Sequence, residues 1–426
     1  MTYEGKLSRI DDNRWEIPMD ESTGMRTNAV IYANEAMISS IRADNAPQQA
    51  ANVACLPGIV GSSMAMPDIH WGYGFPIGGV AAVDADSGSI SPGGIGFDIN
   101  CGVRLIKTDL TLDDLGDRKN ALVDELYRNV PSGLGSKGLT RIGYKELDEI
   151  LMNGSEWAVE NGYGWEEDLD STEEHGHMRD ADPSKVSDKS RKRGLPQLGS
   201  LGSGNHFLEL DVVENVFDEQ TAKAYGLKEG ALTITVHCGS RGCGHQIATD
   251  YLQEMERYVK THSVDLPDRQ LACAPLDSRL GEDYYRAMCC GANYAWANRQ
   301  MITHWVRESF ENILGDSAES MGMGVVYDVA HNIAKMERHD VDRHAENVLV
   351  HRKGATRAFA PGRPEVPMKY RDHGQPVIIP GDMSVGTYVL AGRKGSMEQT
   401  FGSSCHGAGR QMSRKAAVST LTVDGV

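Results

Sequence analysis

Hydrophobic and polar positions follow two kinds of pattern along this chain. Short apolar runs rich in β-branched and aromatic residues at 231–236 and 325–327 predict buried strands. A longer pattern with the period of a helix covers residues 284–313 and predicts a core helix whose Met and aromatic stripe serves packing. A second helix is predicted to begin near His245 and to run through Arg257. Strands and helices mixed in this way indicate an α+β protein.

A glycine-dense loop places a carboxylate and a thiol three residues apart. Asp98 and Cys101 lie in the run G-G-I-G-F-D-I-N-C-G at 93–102. Both side chains reach one point only if the backbone between them turns tightly, which the flanking glycines allow. An isolated D-x-x-C is more often a buried free cysteine beside a turn carboxylate, so the loop gains meaning only together with other ligands.

Four further glycine-flanked sites carry a histidine where a short apolar run ends. These histidines are His206, His237, His331 and His406. Functional loops commonly follow strand ends. One such histidine is more often a structural hydrogen-bond partner, but four of them together with Asp98 and Cys101 favour a shared metal site. The residues alone indicate a divalent cation without naming it.

The chemistry-bearing residues span most of the chain, from Asp98 to His406. The segments between them have to fold back on one centre. We therefore expect a single unit over residues 1–426, although a chain of 426 residues is long enough for two domains. The polar region 166–193 is a candidate mobile insertion or lid, and its acidic runs at 166–170 and 173–174 are expected on the solvated surface.

The charge balance is acidic and restricts the kind of nucleic-acid binding. The chain has 43 Lys and Arg against 60 Asp and Glu, a formal net charge of −17. Broad nonspecific coating of nucleic acid is thereby excluded. A local cationic cleft is compatible with this balance, because affinity follows the phosphates that are neutralised rather than the total charge.

The lack of a recognisable targeting signal and the cysteine content bear on the cellular compartment. The N-terminal residues lack an apolar signal core, and no run of about eighteen apolar residues predicts a membrane span. Eight cysteines without the spacing of a small disulfide-rich domain agree with a reducing compartment. We therefore expect a soluble, cytoplasmic protein that does not associate with membranes.

Six stretches together carry a resemblance to a known family. They are M-P-D at 66–68 with G-Y-G-F-P-I-G-G at 72–79, D-I-N-C-G-V-R at 98–104, L-G-S-G-N-H-F at 201–207, H-C-G-S-R-G at 237–242, R-K-G-A-T-R-A at 352–358 and C-H-G-A-G-R at 405–410. Any one alone is weak evidence, but chance agreement of all six in order is negligible. From residues 14–18 to residues 413–417 the chain resembles the RtcB family of RNA ligases, which join RNA ends using GTP.

Carried onto this sequence, the resemblance implies a single RtcB-like domain with central β-sheets flanked by helices and a cleft for two manganese ions. The implied metal ligands are Asp98, Cys101, His206, His237 and His331. The two ions would share the Cys101 thiolate, because a thiolate bridges cations where a neutral imidazole cannot. Asp98 adds a hard oxygen that suits Mn²⁺, but the identity of the metal rests on the resemblance.

The same resemblance makes His406 the nucleophile that takes guanylate from GTP and passes it to an RNA 3′-phosphate. A 5′-hydroxyl RNA end then attacks the activated 3′ end with loss of GMP, and 2′,3′-cyclic phosphate ends are first opened to the 3′-phosphate. A neutral imidazole is a competent nucleophile when its phosphate target is neutralised. The alternative role for His406 is that of a phosphate-binding or capping residue.

The family's guanylate contacts fall on four segments of this chain. They are Asn205, His206, Phe207, Leu208 and Glu209; His331 and Asn332; Pro380, Gly381, Asp382, Met383 and Thr387; and His406, Gly407, Ala408 and Gly409. Glu209 is the expected guanine reader, because its carboxylate can accept the paired N1 and N2 donors that adenine lacks. Asp382 departs from the family pattern, in which many relatives carry serine.

The resemblance also implies cations and partners for RNA. Arg241, Lys353 and Arg414 would hold RNA phosphates, each beside a catalytic loop. Arginine offers a fixed fork and lysine a mobile charge, so a mixed set both orients and neutralises a phosphate. The implied substrates are RNA ends with a 3′-phosphate or 2′,3′-cyclic phosphate and a 5′-hydroxyl, such as transfer-RNA halves. An archease-type activator is the implied partner, and a monomer is expected.

The C-terminal end departs from the family pattern. Relatives continue for several tens of residues past the C-H-G-A-G-R stretch and add a tyrosine and a terminal lysine to the guanine pocket, for which this sequence has no counterpart. Either a second polypeptide supplies this part of the pocket, or the chain keeps metal and RNA binding without efficient guanylylation. Three functions are therefore kept open. They are the ligase, a dinuclear phosphoesterase acting on RNA cyclic-phosphate ends, and a noncatalytic RNA-binding module.

Overall fold

The computed structural model describes residues 2–341, 344–381 and 385–407. The predictions for Asp382, Met383, Ala408, Gly409 and Arg414 lie outside these described residues. Helices and several sheets are mixed along the chain, which confirms the α+β prediction. None of the helices within the described ranges combines the length and the apolar character that a membrane crossing needs.

Most strands pair antiparallel, and two sheets hold the majority of them. In chain order the strands of the described ranges are β1 (Ser8–Arg9), β2 (Arg14–Ile17), β3 (Ala29–Tyr32), β4 (Ile59–His70), β5 (Ile77–Asp84), β6 (Ser89–Ile90), β7 (Gly102–Thr111), β8 (Phe207–Val212), β9 (Ala231–Cys238), β10 (Ala274–Pro275), β11 (Gly324–Ala330), β12 (Asn332–Val341), β13 (His344–Lys353), β14 (Ala355–Arg357), β15 (Pro376–Ile379), β16 (Tyr388–Ala391) and β17 (Ser403–Cys405). A seven-stranded sheet has the order β1-β2-β3-β4-β5-β13-β12, and a four-stranded sheet has the order β11-β7-β9-β8. The remaining strands form the pairs β10-β6, β14-β17 and β15-β16.

One of the helices runs through the main apolar core. In chain order the helices of the described ranges are α1 (Glu35–Arg42), α2 (Ala46–Val53), α3 (Leu112–Leu115), α4 (Lys119–Asn129), α5 (Tyr144–Asn153), α6 (Ser155–Glu160), α7 (Glu166–Asp170), α8 (Asp188–Gly194), α9 (Glu219–Tyr225), α10 (Arg241–Thr261), α11 (Arg279–Leu314) and α12 (Lys394–Gln399). Helix α11 has 36 residues, a length of about 54 Å at the usual rise. Its residues Tyr284, Trp296 and Met301 are fully buried, so the predicted stripe does serve packing.

The elements predicted from the sequence are present, with wider bounds. The predicted strands lie within β9 and β11, and the two predicted helices correspond to α11 and α10. Strand β7 lies between β9 and β11, because Gly102 pairs with Cys238 on one side and with Ala330 on the other. All eight residues of β9 are buried, as a central strand covered on both faces requires.

The region 166–193 contains α7 and most of α8 and is fastened to the core at two carboxylates. Asp168 and Glu173 are each 1% exposed. Asp168 lies 2.7 Å from an Arg307 guanidinium nitrogen, and Glu173 lies 2.5 Å from Lys335 Nζ. The prediction that these acidic runs lie on the solvated surface is therefore wrong at both positions. Movement of the region as a lid stays a prediction.

Candidate metal and nucleotide site

Four of the predicted site residues lie at one edge of the four-stranded sheet. His206 directly precedes β8, and Cys101 directly precedes β7. His237 is the penultimate residue of β9, and His331 directly follows β11. Neighbouring strands of this sheet are antiparallel, so the starts of β7 and β8 meet the ends of β9 and β11. The strand order itself brings these four side chains together.

Asp98 joins them through a tight turn. The Cys101 backbone N–H donates to the Asp98 carbonyl at 3.0 Å, and Asn100 between them has a φ of 52°. Asparagine tolerates this left-handed conformation better than most residues. The Asn332 side chain donates to the Asp98 carbonyl at 3.2 Å, and its backbone carbonyl accepts from the Asn100 N–H at 2.6 Å. The predicted turn is present, with Asn100 rather than a glycine between the two ligands in the left-handed position.

The candidate ligand atoms converge on the Cys101 sulfur. Nε2 of His206 and Nε2 of His237 each lie 3.3 Å from Cys101 Sγ. His237 Nε2 lies 3.3 Å from His331 Nε2, and His206 Nε2 lies 2.8 Å from Asp98 Oδ2. The ligand atoms form two groups, and all atoms of a group lie within 4.8 Å of one another. One is Cys101, His237 and His331, and the other is Asp98, Cys101 and His206. A cation in each group would share the Cys101 sulfur.

The two deepest imidazoles are suited to bind a cation. Burial lowers the pKa of His237 and of His331 well below the usual value, and the neighbouring imidazoles lower it further. A neutral imidazole offers a nitrogen lone pair to a metal. Nδ1 of both rings has no hydrogen-bond partner among the described residues. The sulfur, nitrogen and oxygen donors of the cluster therefore fit divalent transition-metal ions.

The Asp98 side of the cluster is more polar. Burial acts to raise the pKa of the Asp98 carboxyl, but the charge and hydrogen bond of His206 outweigh it and hold that pKa below its usual value. Burial, reinforced by Asp98, raises the pKa of the Cys101 thiol to about 12. A coordinated thiol loses its proton, so a bound cation would convert Cys101 from the thiol to the thiolate.

Two glycines leave the room that the ligands need. A Cβ atom on Gly239 would lie 2.4 Å from Asp98 Oδ1. A Cβ atom on Gly202 would lie 2.0 Å from His206 Nδ1 and 2.5 Å from a guanidinium nitrogen of Arg241. Any side chain at either position would displace a candidate ligand.

His406 stands beside the cluster and contacts Asp68. Strand β17 ends one residue before His406, whose ring centroid lies 4.9 Å from that of His331. His406 Nδ1 lies 2.6 Å from Asp68 Oδ2, although the two groups are not aligned as a linear hydrogen bond. The backbone N–H groups of His406 and Gly407 donate to the same oxygen at 3.3 and 3.2 Å. The M-P-D stretch is part of the family resemblance, but the sequence indicated no role for Asp68.

Arg299 is a second residue whose role the sequence did not show. Its guanidinium donates to the carbonyls of Asn100 and Cys238 at 2.8 and 2.7 Å and pairs with Asp328 at 2.8 Å. Asp328 also pairs with Arg104 at 2.7 Å, and all three charged side chains are fully buried. Arg299 therefore fastens the ends of three ligand-bearing strands. The only signal in the sequence was a charged residue within the apolar pattern of α11.

The predicted guanylate contacts approach the cluster from two sides. Phe207 lies edge-on to the His237 ring at a centroid distance of 5.3 Å. Burial, with the nearby Asp211, raises the pKa of Glu209 to about 7. On the other side, a Cβ atom on Gly407 would lie 3.7 Å from the Pro380 carbonyl oxygen. The remaining predicted contacts differ in their surroundings. Asn205 is exposed, Leu208 packs partly against the apolar core, and Gly381 and Thr387 are half-buried. The Asn332 side chain donates to the Asp98 carbonyl and accepts from the Gly354 backbone N–H.

Two of the three predicted RNA cations lie in the described residues, and both border the cluster. Arg241 begins α10 with a φ of 55° and donates to Ser136 Oγ at 2.9 Å. Lys353 is 4% exposed, and burial lowers the pKa of its ammonium group to about 7. Its Nζ donates to the carbonyls of Tyr73 and Phe75. Within the described ranges, neither cation has a carboxylate partner within 4.0 Å.

Comparisons with known proteins agree with the motifs. The family described as "tRNA-splicing ligase RtcB" matches residues 49–426. A protein of that name from Thermococcus kodakarensis is 59% identical over 411 residues, which cover 96% of this chain and 85% of the relative. Proteins of the same name from Archaeoglobus fulgidus and Methanococcus maripaludis are each 55% identical, with 98% of this chain and 86% of each relative covered. This chain belongs to the RtcB family.

Proposed function

We propose that the protein is an RNA ligase that joins a 3′-phosphate or 2′,3′-cyclic phosphate end to a 5′-hydroxyl end, with guanylate carried on His406, as in tRNA splicing and RNA repair. The names of its relatives support the ligase activity. The observation that carries the chemistry is the placement of His406, whose ring lies 4.9 Å from that of the candidate ligand His331 and whose Nδ1 is held by a buried carboxylate. A phosphoesterase would need the ligand cluster but no imidazole in that position.

Two Mn²⁺ ions fit the two groups of ligands. Cys101, His237 and His331 would hold one ion, and Asp98, Cys101 and His206 would hold the other. Bound cations neutralise phosphate oxygens and so reduce the cost of bringing a phosphate anion to a nucleophile. The choice of manganese follows the family resemblance.

Asp68 determines which nitrogen of His406 attacks. A carboxylate at Nδ1 favours the tautomer with its proton on Nδ1, which leaves the lone pair on Nε2. Nε2 attacks the α-phosphorus of GTP. A P–N bond forms, the bond from that phosphorus to the bridging oxygen breaks, and pyrophosphate leaves. The imidazole ring carries positive charge after the attack, and Asp68 stabilises it.

The guanylate then moves to RNA. An oxygen of the RNA 3′-phosphate attacks the guanylate phosphorus, the P–N bond breaks, and His406 is regenerated. The 5′-hydroxyl oxygen of the second RNA end attacks the RNA 3′-phosphorus, GMP leaves, the hydroxyl proton passes to solvent, and a 3′,5′-phosphodiester forms. A 2′,3′-cyclic phosphate end enters this sequence after water has opened its bond to the 2′-oxygen.

Glu209 and the two described cations account for substrate choice. An ionised Glu209 accepts the N1 and N2 donors of guanine, and adenine lacks this donor pair. Arg241 packs against Gly202 beside His206, where its fork can bind the terminal phosphate of an RNA strand. Lys353 lies against the glycine-dense loop at 93–102, since a Cβ atom on Gly96 would lie 3.6 Å from Lys353 Cε.

Labelling with GTP tests this proposal. The protein is incubated with Mn²⁺ and α-labelled GTP, and acid-labile label on the protein is measured. We expect label on the wild type and on His262→Ala, an exposed histidine at the end of α10, but none on His406→Ala. Absence of label on the wild type, with cyclic ends still opened, would establish the phosphoesterase instead. Absence of both activities would establish a binding module.

The remaining assignments extend the proposal beyond the chain itself. We propose transfer-RNA halves as the substrate, an archease-type protein as activator, a monomeric state and a cytoplasmic location. Co-purification of an activator that accelerates the labelling of His406 would support the partner. A labelling rate that no added cellular fraction changes would remove it.

A further inference from the structure

An aromatic and cationic rim borders the Asp98 end of the ligand cluster. Phe97, Arg193 and His245 form it, and we call it the outer rim. The Phe97 and His245 rings are stacked, with centroids 5.1 Å apart and an interplanar angle of 26°. An Arg193 guanidinium nitrogen lies 3.4 Å from His245 Nδ1. Phe97 directly precedes Asp98, so the rim is continuous with the candidate site.

Arg241 packs beside a candidate ligand, whereas Arg193 packs beside the start of helix α10. The side chain of Arg241 packs over Gly202 beside the ligand His206. The side chain of Arg193 packs over Gly242 instead, where a Cβ atom would lie 3.0 Å from Arg193 Nε. Gly242 directly follows Arg241 in the chain, so Arg193 packs on the backbone next to Arg241 rather than on the backbone next to His206.

The guanidinium of Arg193 is available to an anion. Arg193 is exposed, and no carboxylate of the described residues lies within 4.0 Å of it. Its only protein acceptor of ordinary length in the described ranges is Gln246 Oε1 at 3.0 Å. Arg191 on the same helix is different, because it pairs with Asp148 at 2.9 Å. In a chain of net charge −17, an arginine without a carboxylate partner in the described ranges is a specific feature of this end of the cluster rather than part of a general basic surface.

The stacked rings are suited to hold a base. His245 is exposed on the first turns of α10, while Phe97 is partly buried and packs against the main apolar core. Tyr73 lies edge-on to Phe97 at a centroid distance of 5.3 Å and supports it from the side. The exposed His245 ring, backed by Phe97, therefore offers a rigid face. Bases stack on such faces with little dependence on sequence.

We propose that the outer rim binds the last internal nucleotide linkage of the RNA strand that ends in the 3′-phosphate. Arg193 binds the phosphate that precedes the terminal one, and the base beside it stacks on His245. This inference rests on the proposed function, because it takes the terminal phosphate to lie at Arg241 and the ligand cluster. RNA is favoured as the occupant because an unpaired guanidinium next to a stacking surface complements a single-stranded nucleic acid.

Direct binding of two RNA probes tests the rim. The probes are fluorescein-labelled single-stranded RNA decamers that differ only in ending with a 3′-phosphate or a 3′-hydroxyl, and Kd is measured by anisotropy on the Mn²⁺-loaded chain without GTP. Arg193→Ala is expected to raise Kd about tenfold for both probes and to reduce the dependence of log Kd on log salt concentration by about 0.7. Arg241→Ala is expected to raise Kd only for the probe with the 3′-phosphate.

Matched variants separate binding from folding. Arg279→Ala removes an arginine that is 92% exposed at the start of α11, and wild-type Kd is expected. Arg193→Lys keeps the charge, so we expect the wild-type salt dependence with a smaller rise in Kd. His245→Ala is expected to weaken binding about tenfold, and His245→Phe to restore it. Thermal unfolding of each variant shows whether the fold is intact.

Two outcomes would overturn the inference. Arg193→Ala and His245→Ala could bind both probes as Arg279→Ala does, or the effect of Arg193→Ala could vanish with the 3′-hydroxyl probe, which would place the terminal phosphate there. The labelling of His406 with GTP is scored separately on the wild type. If the wild type is not labelled but Kd still depends on Arg193 and His245, the guanylate chemistry is refuted and RNA binding at the outer rim stands.

Discussion

One oxygen of Asp68 holds both the imidazole and the backbone of His406. Asp68 Oδ2 lies 2.6 Å from His406 Nδ1 and accepts the His406 backbone N–H at 3.3 Å. Asp68 is on β4 and His406 follows β17, so the contact joins positions 338 residues apart. The Asp68 side chain is 4% exposed, which keeps water from competing for it.

Asp68→Asn is expected to slow the transfer of guanylate to His406 by about 10²-fold. The amide keeps an acceptor for the backbone N–H groups but loses the charge that stabilises the cationic phosphorylated imidazole. The affinity for GTP should change little, because Asp68 contacts His406 rather than the nucleotide. Single-turnover labelling at several GTP concentrations separates the rate from the affinity. Asp86→Asn, on an exposed turn, is the control, and a rate for Asp68→Asn within twofold of the control would contradict the prediction.

Cys101→Ser is expected to weaken both metal sites, because the Cys101 sulfur belongs to both groups of ligand atoms. His206→Ala removes a ligand from one group only and should leave the other site loaded. Equilibrium dialysis against Mn²⁺ followed by metal analysis gives the number of ions per chain. The control is Cys55→Ser, since Cys55 is buried away from the site and its Sγ hydrogen bonds to Thr23 and Ala51 suit a hydroxyl. Equal loss of metal in Cys101→Ser and His206→Ala would show that the sulfur is not shared.

The sequence predicted local elements well because their patterns are local. The strand within β9 and the helix α11 follow from apolar periodicity over neighbouring residues. The sheet edge where the ligands meet does not follow from spacing. It depends on the order β11-β7-β9-β8 and on pairing between residues as distant as Gly102 and Ala330. The family resemblance named the ligands, but the topology explains why they are close.

The burial of carboxylates that pair with distant residues could not be predicted from the sequence. Asp168 and Glu173 belong to acidic runs that are typical of solvated surface, yet Arg307 and Lys335 neutralise them in the interior. Each pair is more than a hundred residues apart in the chain, as their hydrogen bonds show. Asp68 was missed for the same reason. A carboxylate whose partner is distant in sequence carries no local sign of burial.

Glu209 is expected to make GTP binding depend on pH. Its carboxyl pKa is raised to about 7, first by burial and then by Asp211. Guanine recognition needs the ionised carboxylate, so the affinity for GTP should fall as the pH drops below about 7. Asp211→Asn removes the like charge and should move this midpoint to lower pH. Titration of GTP binding by calorimetry between pH 5.5 and pH 8.5, values chosen to lie about 1.5 units either side of that pKa, checks both expectations.

The same group is expected to affect stability with a defined sign. The pKa of Glu209 is higher in the folded chain than in the unfolded chain, so the folded state loses stability as the pH rises from the unfolded pKa through about 7. Glu209→Gln removes this loss. Its melting temperature relative to the wild type should be unchanged at acid pH and higher at alkaline pH, while the preference for GTP over ATP disappears. Glu214→Gln, an exposed carboxylate, serves as control, and a parallel pH dependence of Glu209→Gln and wild type would contradict the assignment.

Asp328→Asn is expected to destabilise the fold and the ligand edge together. Asp328 is fully buried between the guanidinium groups of Arg104 and Arg299, at 2.7 and 2.8 Å. Removing its charge leaves two buried cations without compensation, which typically costs about 3–5 kcal/mol. Arg299 also holds the carbonyls of Asn100 and Cys238, so its displacement should loosen the ends of β7 and β9.

Denaturant unfolding in the absence and presence of Mn²⁺ checks this prediction. We expect a lower midpoint for Asp328→Asn without metal and a smaller stabilisation by added Mn²⁺ than in the wild type, because the ligands are no longer held in register. Asp113→Asn, in the short exposed helix α3, provides the same chemical change without burial. If Asp328→Asn lost stability but kept the full stabilisation by Mn²⁺, the ion pair would support the core alone. The positioning of the ligands would then have to be assigned to the strand pairing rather than to Arg299.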